Sequence, residues 1–285
     1  MRVFIITGQT ATGKTKLALE LAKKYNGELI NFDSRQIYQY LDIITGKDIP
    51  KTKIWLYDVV KPDQYFSSFD FVKEVSPIIE DIKNRRKTPI LVGGTYLYVK
   101  HLLYGIDTNN HSPPDFKLRN KLNDKSIDFL KRLLISLNQK TYNNLNNSDC
   151  NNPRRLIRKI EIEKYRKKHN EKIATPSTPP AYIIQQFIGL KYKDKSKLRQ
   201  AIEKRVEERL KNGAVDEVKK LLKMGYKESD PGIKTIGYQQ IIKYIKNFMS
   251  LKEAREEWIT KELQYAKRQY TFMKKDPNII WNQID

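Results

Sequence analysis

The strongest constraint on the fold is a glycine-containing segment near the N-terminus, residues 8–15, which reads GQTATGKT. It satisfies the G-x-x-x-x-G-K-[ST] pattern of a phosphate-binding loop. The apolar run Val3–Ile6 before it predicts a buried strand, and the pattern from Lys16 to Lys24 after it predicts a helix. Backbone N–H groups and the helix dipole favour negative charge at such a helix N-terminus. The segment therefore predicts a phosphate site, whereas a glycine turn without this strand and helix could match by chance.

Two side chains of this loop have specific chemical roles in a phosphate site. Lys14 would reach the terminal phosphates, and the Thr15 hydroxyl would bind a Mg²⁺ ion, the predicted cofactor. The other predicted diphosphate-binding residues of the loop are Gly8, Thr10, Ala11, Thr12 and Gly13.

The net charge of the chain is strongly positive. Lys and Arg number 55 and Asp and Glu number 33, which gives +22. Such an excess is unfavourable through self-repulsion unless a polyanion offsets it. An AT-rich genome enriches lysine and asparagine, but it does not require so few acids. We therefore expect a nucleic-acid partner.

Cys150 is the only cysteine, so one chain can build neither a disulfide framework nor a thiolate metal site. No signal-peptide pattern precedes the first predicted strand. No apolar run approaches the length of a membrane span. We expect a cytoplasmic monomer with no membrane partner.

Strands alternate with helices over the first hundred residues, which predicts a parallel, doubly wound α/β sheet. Ligands of such sheets bind at the carboxyl ends of the strands. The phosphate loop, Asp33 and the run Gly93–Thr95 each follow a predicted strand, so all three can face one crevice. The predicted elements after the first helix are the strands Glu28–Phe32, Ile54–Val59 and Pro89–Val92, and the helix Ser68–Arg86.

The pattern changes near residue 113. From Asp115 to His169 the sequence predicts helices and no strand, with a dense basic stretch, and a proline-rich linker follows at 175–180. Tyr182–Leu190 then predicts a strand that returns to the sheet. We infer an α/β core formed by 1–114 and 181–285, with a helical insertion at 115–180. Further helices are predicted at Leu198–Asn212, Val215–Met224 and Lys252–Lys275.

An ordered set of motifs then points to one family. They are the phosphate loop, DSRQIY at 33–38, LVGGT at 91–95, NPRR at 152–155, IGY at 236–238 and YAKRQ at 265–269. Over essentially its whole length the chain resembles the tRNA dimethylallyltransferase (tRNA isopentenyltransferase) family, bacterial type. The resemblance implies a P-loop NTPase-like parallel sheet flanked by helices, with an inserted all-helical tRNA-binding domain. It also implies transfer of a dimethylallyl group from its diphosphate to N6 of the adenosine 3′-adjacent to the anticodon in tRNA.

The residues suit that chemistry. An exocyclic adenine amine is a poor nucleophile and needs a base, and Asp33 at a strand end is the obvious carboxylate. The resemblance gives the matching aspartate this role, although an aspartate there could also simply cap a helix. Thr95 matches a threonine that contacts the adenosine and the reacting centre, and Arg205 matches an arginine near the pyrophosphate.

The resemblance further implies that the target base leaves its stack and enters a channel through the protein. Ser34, Arg35 and Gln36 would read the everted base and its neighbours. The partner would be the tRNA anticodon stem-loop, whose phosphates would bind the basic stretch of the insertion. The residues placed against tRNA are Asp33, Ser34, Arg35, Gln36, Thr95, Arg119, Arg154, Arg155, Arg158, Lys234, Thr235, Ile236, Gly237, Tyr238 and Gln239.

The chain departs from the family pattern at a few positions. Ala201 lies four residues before Arg205, where the resemblance implies a further arginine for the phosphates. Glu262 and Leu263 replace a Thr-Arg pair ahead of the YAKRQ run.

Three other functions stay open on sequence alone. An isopentenyltransferase for free adenine nucleotides would share the loop and Asp33, but would need neither the insertion nor the +22 charge. A small-molecule kinase would use ATP, and the absence of an acidic residue after the strand that ends at Val92 argues against it. A non-catalytic RNA-binding protein would leave Lys14, Thr15 and Asp33 without a shared explanation.

Overall fold

The computed structural model describes residues 2–47, 53–105, 112–169 and 183–285. The chain divides into two compact units. The core unit comprises Met1–Tyr104 and Pro180–Asp285, and the inserted unit comprises Gly105–Pro179. The inserted unit begins at Gly105, whereas the sequence predicted that it begins at Asp115.

The core unit contains a six-stranded sheet whose paired strands all run parallel. The parallel α/β fold predicted from the sequence is therefore confirmed. The order across the sheet is β3-β2-β4-β1-β5-β6. The strands are β1 (Arg2–Gly8), β2 (Gly27–Asn31), β3 (Ile54–Trp55), β4 (Thr88–Val92), β5 (Ile183–Tyr192) and β6 (Ile280–Ile284).

The helices of the described residues flank this sheet or form the inserted unit. The prediction of helices for the inserted unit agrees with α4 to α8, and its described residues contain no strand. In chain order the helices are α1 (Lys14–Lys24), α2 (Ser68–Asn84), α3 (Tyr96–Tyr104), α4 (Phe116–Leu122), α5 (Ile127–Leu137), α6 (Gln139–Asn143), α7 (Asn147–Cys150), α8 (Pro153–His169), α9 (Lys195–Lys211), α10 (Ala214–Lys223), α11 (Tyr238–Ile245) and α12 (Leu251–Met273).

Two boundaries differ from the sequence prediction for local reasons. The strand predicted at Ile54–Val59 is wrong beyond Trp55, because Leu56 and Asp58 have φ values of 65° and 59° and leave the extended conformation. The first helix begins at Lys14 rather than Lys16, so the phosphate-loop lysine itself lies in the first helical turn.

Successive side chains of β1 point to opposite faces of the sheet, and both faces are covered. Val3 and Ile5 pack with the apolar stripe of α2 and with α3. Phe4 and Ile6 pack with Ala18 of α1 on the other face. A strand buried on both faces reads as a continuous apolar run, which is the pattern seen in the sequence.

A separate apolar cluster fixes the segment that follows β2. Leu41 and Ile44 of this segment are fully buried against α9, α11 and Trp258 of α12. Because loops are usually surface features, such burial holds this one in a defined position. The segment can therefore contribute backbone and side chains to a rigid site.

The inserted unit has its own core. Leu130 and Leu134 of α5 pack against Leu156, Ile157 and Ile160 of α8. No helix in the described parts of either unit is long and apolar enough to cross a membrane.

Candidate active site

The phosphate loop is a tight turn between β1 and α1. Gly8 has a φ of 137°, and a Cβ placed on it would lie 2.1 Å from the carbonyl oxygen of Leu190. Only glycine allows this approach, which lets the Gln9 N–H donate to the same carbonyl at 3.0 Å. Ala11 and Gly13 also have positive φ, at 62° and 74°. The loop backbone is thereby folded around the N-terminus of α1.

Neighbouring side chains hold the loop in this shape. Lys14 Nζ donates to the carbonyl of Gln9 at 2.6 Å, and the hydroxyl of Tyr192 donates to the carbonyl of Ala11 at 2.9 Å. Arg205 of α9 donates from Nη1 to the Thr10 hydroxyl at 2.9 Å. The structure thus places Arg205, predicted from the sequence as a diphosphate residue, directly against the loop.

Gln269 of α12 connects the phosphate loop to the turn after β4. Its Oε1 accepts from the N–H of Thr10 at 2.9 Å, and its Nε2 donates to the carbonyl of Gly94 at 3.1 Å. The side chain is buried. Sequence reasoning did not assign Gln269 a role, although its place in the YAKRQ run, four residues after Tyr265, was the available signal.

Asp33 follows β2 and is half-buried. Its Oδ1 accepts from the N–H of Arg35 at 2.9 Å, and its own N–H donates to Asn31 Oδ1 at 2.9 Å. A Cβ placed on Gly94 would lie 3.2 Å from Asp33 Oδ2, so the glycine turn after β4 passes close to this second oxygen. No described helix starts at Asp33, because residues 34–37 form a turn, and the helix-capping alternative does not apply.

Thr95 lies beside Asp33 at the end of the neighbouring strand. Its hydroxyl accepts from the Ser34 N–H at 2.9 Å and donates to the Ser34 hydroxyl at 3.0 Å. Tyr265 of α12 lies close enough to Asp33 and Thr95 for both to affect its pKa, which is raised by desolvation and then by the negative charge of Asp33. Tyr265 is therefore a neutral hydroxyl at physiological pH, next to both predicted catalytic residues.

The phosphate loop, Asp33, Arg205, Tyr265 and Gln269 line one cavity of about 1000 Å³ within the core unit, whereas Thr95 and Ser34 lie outside its lining. The phosphate loop, Asp33, the segment 42–47, α9 and α12 all contribute to its wall. Among its described lining residues, Lys and Arg outnumber Asp and Glu by nine to four, so the cavity favours an anionic ligand. The basic residues are Lys14, Lys16, Arg35, Lys47, Lys204, Arg205, Arg209, Lys234 and Arg268, and the acidic residues are Asp33, Asp42, Glu208 and Glu262.

Glu217 of α10 holds the segment 42–47 in the cavity wall. Its carboxylate accepts from the backbone N–H groups of Asp42, Ile43 and Ile44 at 2.9, 2.6 and 3.1 Å. The hydroxyl of Tyr238 donates to the same carboxylate at 2.5 Å, and the Tyr238 side chain is fully buried. Tyr238, predicted to contact tRNA, here supports a loop instead of presenting its ring at a surface.

Some of the remaining predicted tRNA residues of the core unit are exposed at the cavity, and others are buried or bonded to the backbone. Arg35 and Lys234 are exposed at the cavity, whereas Thr235 is buried and donates from its hydroxyl to the carbonyl of Gly232 at 2.6 Å. Gln36 Nε2 donates to the carbonyl of Gly46 at 2.9 Å. Ile236 also lines the cavity, Gly237 is buried against Ile44 and Trp258, and Gln239 Nε2 donates to the carbonyl of Ile233 at 2.9 Å.

In the inserted unit a buried carboxylate organises two of the predicted arginines. The Glu161 side chain is 0% exposed and accepts from Arg119 at 2.6 and 2.9 Å and from Arg158 at 3.0 Å. Arg158 also donates to the carbonyl of Ser112 at 2.7 Å. Arg155 pairs with Asp149, and Arg154 is exposed. Arg154 and Arg155 are both exposed and therefore differ from Arg158, which is bound to a fully buried carboxylate.

Two families of known proteins match the sequence of this chain. Residues 36–276 match the family described as IPP transferase, and residues 1–58 match the family described as isopentenyl transferase. The first match covers most of the chain. The chain belongs to the IPP transferase family.

Three relatives illustrate how far the similarity to this family extends. A tRNA dimethylallyltransferase from Acetivibrio thermocellus is 38% identical, with 99% of this chain and 92% of the relative covered. The structure of a full-length tRNA isopentenylpyrophosphate transferase from Bacillus halodurans is 30% identical, covers 100% of this chain and 91% of its own, and has a TM-score of 0.72. A eukaryotic dimethylallyltransferase studied acting on tRNA is 26% identical, with coverage of 99% and 73% and a TM-score of 0.78.

Proposed function

We propose that this member of the IPP transferase family transfers a dimethylallyl group from dimethylallyl diphosphate to N6 of the adenosine 3′-adjacent to the anticodon in tRNA. The observation that carries the proposal is that the phosphate loop, Asp33 and Arg205 line the same basic cavity. A diphosphate and an acceptor that must lose a proton can meet there. The family's relatives named above support the same chemistry.

The diphosphate would bind at the N-terminus of α1. Backbone N–H groups of the loop, Lys14 and Arg205 supply the positive charge and donors. Thr15 would hold Mg²⁺ together with the diphosphate oxygens. In the described residues no group of three or more His, Cys, Asp or Glu side chains could hold a metal, which suits an ion bound largely through substrate phosphates. When bound, Mg²⁺ would offset the charge of the departing pyrophosphate.

Asp33 would act as the base. The bond between C1 of the dimethylallyl group and the diphosphate oxygen breaks, the bond between N6 and C1 forms, and the N6 proton passes to the Asp33 carboxylate. The bond from the Arg35 N–H fixes Asp33 Oδ1 and thereby orients the group. Thr95, held by two hydrogen bonds to Ser34, would contact the adenosine.

The tRNA anticodon stem-loop would bind through positive charge distributed over both units. Ser34, Arg35 and Gln36 surround Asp33 in the turn after β2 and would read the everted base. In the inserted unit Arg154 and Arg155 are exposed and would contact phosphates, whereas Arg119 and Arg158 would do so from their positions on Glu161. The net charge of +22 favours the same partner.

We infer that the enzyme works as a monomer in the cytoplasm. The phosphate loop, Asp33 and Arg205 all line one cavity of a single chain, so one copy supplies the groups that the proposed chemistry uses. Its tRNA acceptor would be met in that compartment.

An acceptor comparison tests the proposal. The protein is incubated with Mg²⁺ and labelled dimethylallyl diphosphate, and tRNA, AMP and no acceptor are compared. We expect label on tRNA and none on AMP. Label on AMP alone would establish the rival activity on free adenine nucleotides, and hydrolysis without transfer would overturn both assignments.

A further inference from the structure

The cavity contains a second arginine beside Arg205, and it is more deeply enclosed. Arg209 lies one turn further along α9, lines the same cavity, and its side chain is 8% exposed. Buried charges in proteins are normally paired and well hydrogen-bonded, because desolvation of an isolated ion is very unfavourable. The contacts of Arg209 therefore indicate what compensates its charge.

Those contacts compensate it only in part: the guanidinium lies over the Trp258 ring, with Cζ 5.9 Å from the ring centroid, but its hydrogen bonds are few. Among the described residues, the guanidinium makes one hydrogen bond, from Nη1 to Glu262 Oε1 at 3.3 Å. Charge-assisted bonds between arginine and carboxylate are shorter and often bidentate, at about 2.7–2.9 Å. The same Glu262 oxygen is shared with the indole N–H of Trp258 at 3.4 Å. Arg209 Nε is buried and has no hydrogen-bond partner in the described residues.

The positive charge of Arg205 lies close to that of Arg209, which makes the charge of Arg209 still less well compensated. Glycine at position 46 lets the chain pass beside both arginines, because a Cβ there would lie 2.6 Å from Arg205 Nη2 and 2.7 Å from Arg209 Nη2. The two guanidinium groups thus converge on one point of the cavity wall. Burial, followed by the positive charge of Arg205, lowers the pKa of Arg209 to about 10. Two converging guanidinium groups with one long carboxylate contact form an environment that a multivalent anion would stabilise.

We propose that Arg209 is a second diphosphate-binding arginine, which acts with Arg205 on the diphosphate of the prenyl donor. This inference rests on the proposed function, because it assigns the anion to the donor's leaving group. Ala201 lines the cavity two turns before Arg209 on the same helix and brings no charge to it, so Arg209 supplies a cation to the cavity that position 201 does not. Glu262 keeps Arg209 in place while leaving part of its donor capacity for the ligand.

The competing explanation is that Arg209 only neutralises Glu262. Removal of one partner of a buried ion pair destabilises a protein in either case, so the single variant Arg209→Met cannot separate the two roles. The double variant Arg209→Met/Glu262→Gln can, because it removes both charges and leaves no orphaned carboxylate. Arg199→Met is a matched control, since Arg199 lies on α9, is 52% exposed and does not line the cavity.

The measurement is calorimetric binding of inorganic pyrophosphate with Mg²⁺, with thermal unfolding to confirm that each variant folds. We expect the double variant to bind pyrophosphate about tenfold or more weakly than both wild type and Glu262→Gln, since bonds to charged groups contribute that much. Arg199→Met should bind as wild type does. The KM for dimethylallyl diphosphate should rise in the double variant while the affinity for tRNA stays constant.

If the double variant binds pyrophosphate as tightly as the wild type does, Arg209 only neutralises the charge of Glu262 and the inference is overturned. The assay uses no tRNA and no transfer step, so this outcome leaves the proposed function standing. Absence of pyrophosphate binding by the wild type, in contrast, would overturn the diphosphate site itself and the inference with it.

Discussion

The N–H of Ser34 donates a hydrogen bond to the hydroxyl of Thr95 at 2.9 Å, although the two residues are 61 positions apart in the chain. This bond joins the turn after β2 to the turn after β4 and places Thr95 beside Asp33. Adjacent parallel strands bring their carboxyl ends to the same edge of a sheet, and the bond makes that general rule specific here. We therefore expect substitutions of Thr95 to affect the chemistry proposed for Asp33.

Removal of the Thr95 hydroxyl should lower the transfer rate more than removal of the Thr95 methyl group does. Thr95→Val leaves the Ser34 N–H without its acceptor and the Ser34 hydroxyl without its donor, so we expect the transfer rate to fall about tenfold or more. Thr95→Ser keeps the hydroxyl and should retain much more of the rate. Single-turnover transfer to tRNA is the measurement. Equal rates for the two variants would show that the hydroxyl has no role.

Asp33→Asn should separate binding from chemistry. Asparagine is nearly isosteric and accepts the Arg35 N–H through its side-chain oxygen, but it cannot take the N6 proton. Positioned general bases contribute about 10²–10⁴-fold, and we expect a loss of turnover in that range with unchanged tRNA affinity. A transfer rate close to that of wild type would assign Asp33 to the turn alone.

Lys14→Ala should weaken both donor binding and turnover, because the ammonium group would meet the diphosphate in the ground state and in the transition state. Binding of tRNA alone should change little. Lys23→Ala, in the exposed last turn of α1, is the matched control for loss of one lysine from this helix. Loss of tRNA binding by Lys14→Ala with intact donor binding would contradict the phosphate-loop assignment.

The basic stretch of the inserted unit should make tRNA binding depend on salt. If Arg154 and Arg155 each contact a phosphate, Arg154→Ala/Arg155→Ala should lower the slope of log affinity against log salt by roughly 1.4 to 1.8. The effect should be similar for different tRNAs, because phosphate contacts do not read sequence. A salt titration with wild-type and variant protein measures it. Parallel slopes would show that these two arginines form a solvated face.

Arg158 needs separate treatment in that experiment. Its partner Glu161 has a fully buried side chain, so Arg158→Ala would leave that carboxylate with less compensation and lower the stability of the inserted unit. The double variant avoids this complication, since Arg155 pairs only at the surface with Asp149.

Much of the site was predictable because its signals are local. The phosphate loop, Asp33 and Thr95 each follow an apolar strand, and the carboxyl-end rule brings them together without further information. The side chains that arrange these residues were not predictable. Glu217, which binds three backbone N–H groups of the segment 42–47, is one acid on an amphipathic helix whose sequence looks ordinary.

The missed elements have similar explanations. Strand β6 is an edge strand with mostly exposed side chains, and its apolar run, Ile279–Trp281, is only three residues long and gives way to Asn282 and Gln283, too short to predict a strand. Helix α11 has eight residues, too few for a clear periodicity. Arg209 is one of many charged residues on α9, and only its burial and its long contact with Glu262 distinguish it from the others.

The most direct test of the central claim uses two matched anticodon stem-loops. One carries adenosine 3′-adjacent to the anticodon, and the other carries inosine there, which lacks the exocyclic amine. After incubation with Mg²⁺ and labelled dimethylallyl diphosphate, the RNA is digested and its nucleosides are separated. We predict label on the adenosine of the first stem-loop and none on the second. Equal labelling of the two, or no labelling of either, would contradict the proposal that this cavity transfers the dimethylallyl group to N6 of that adenosine.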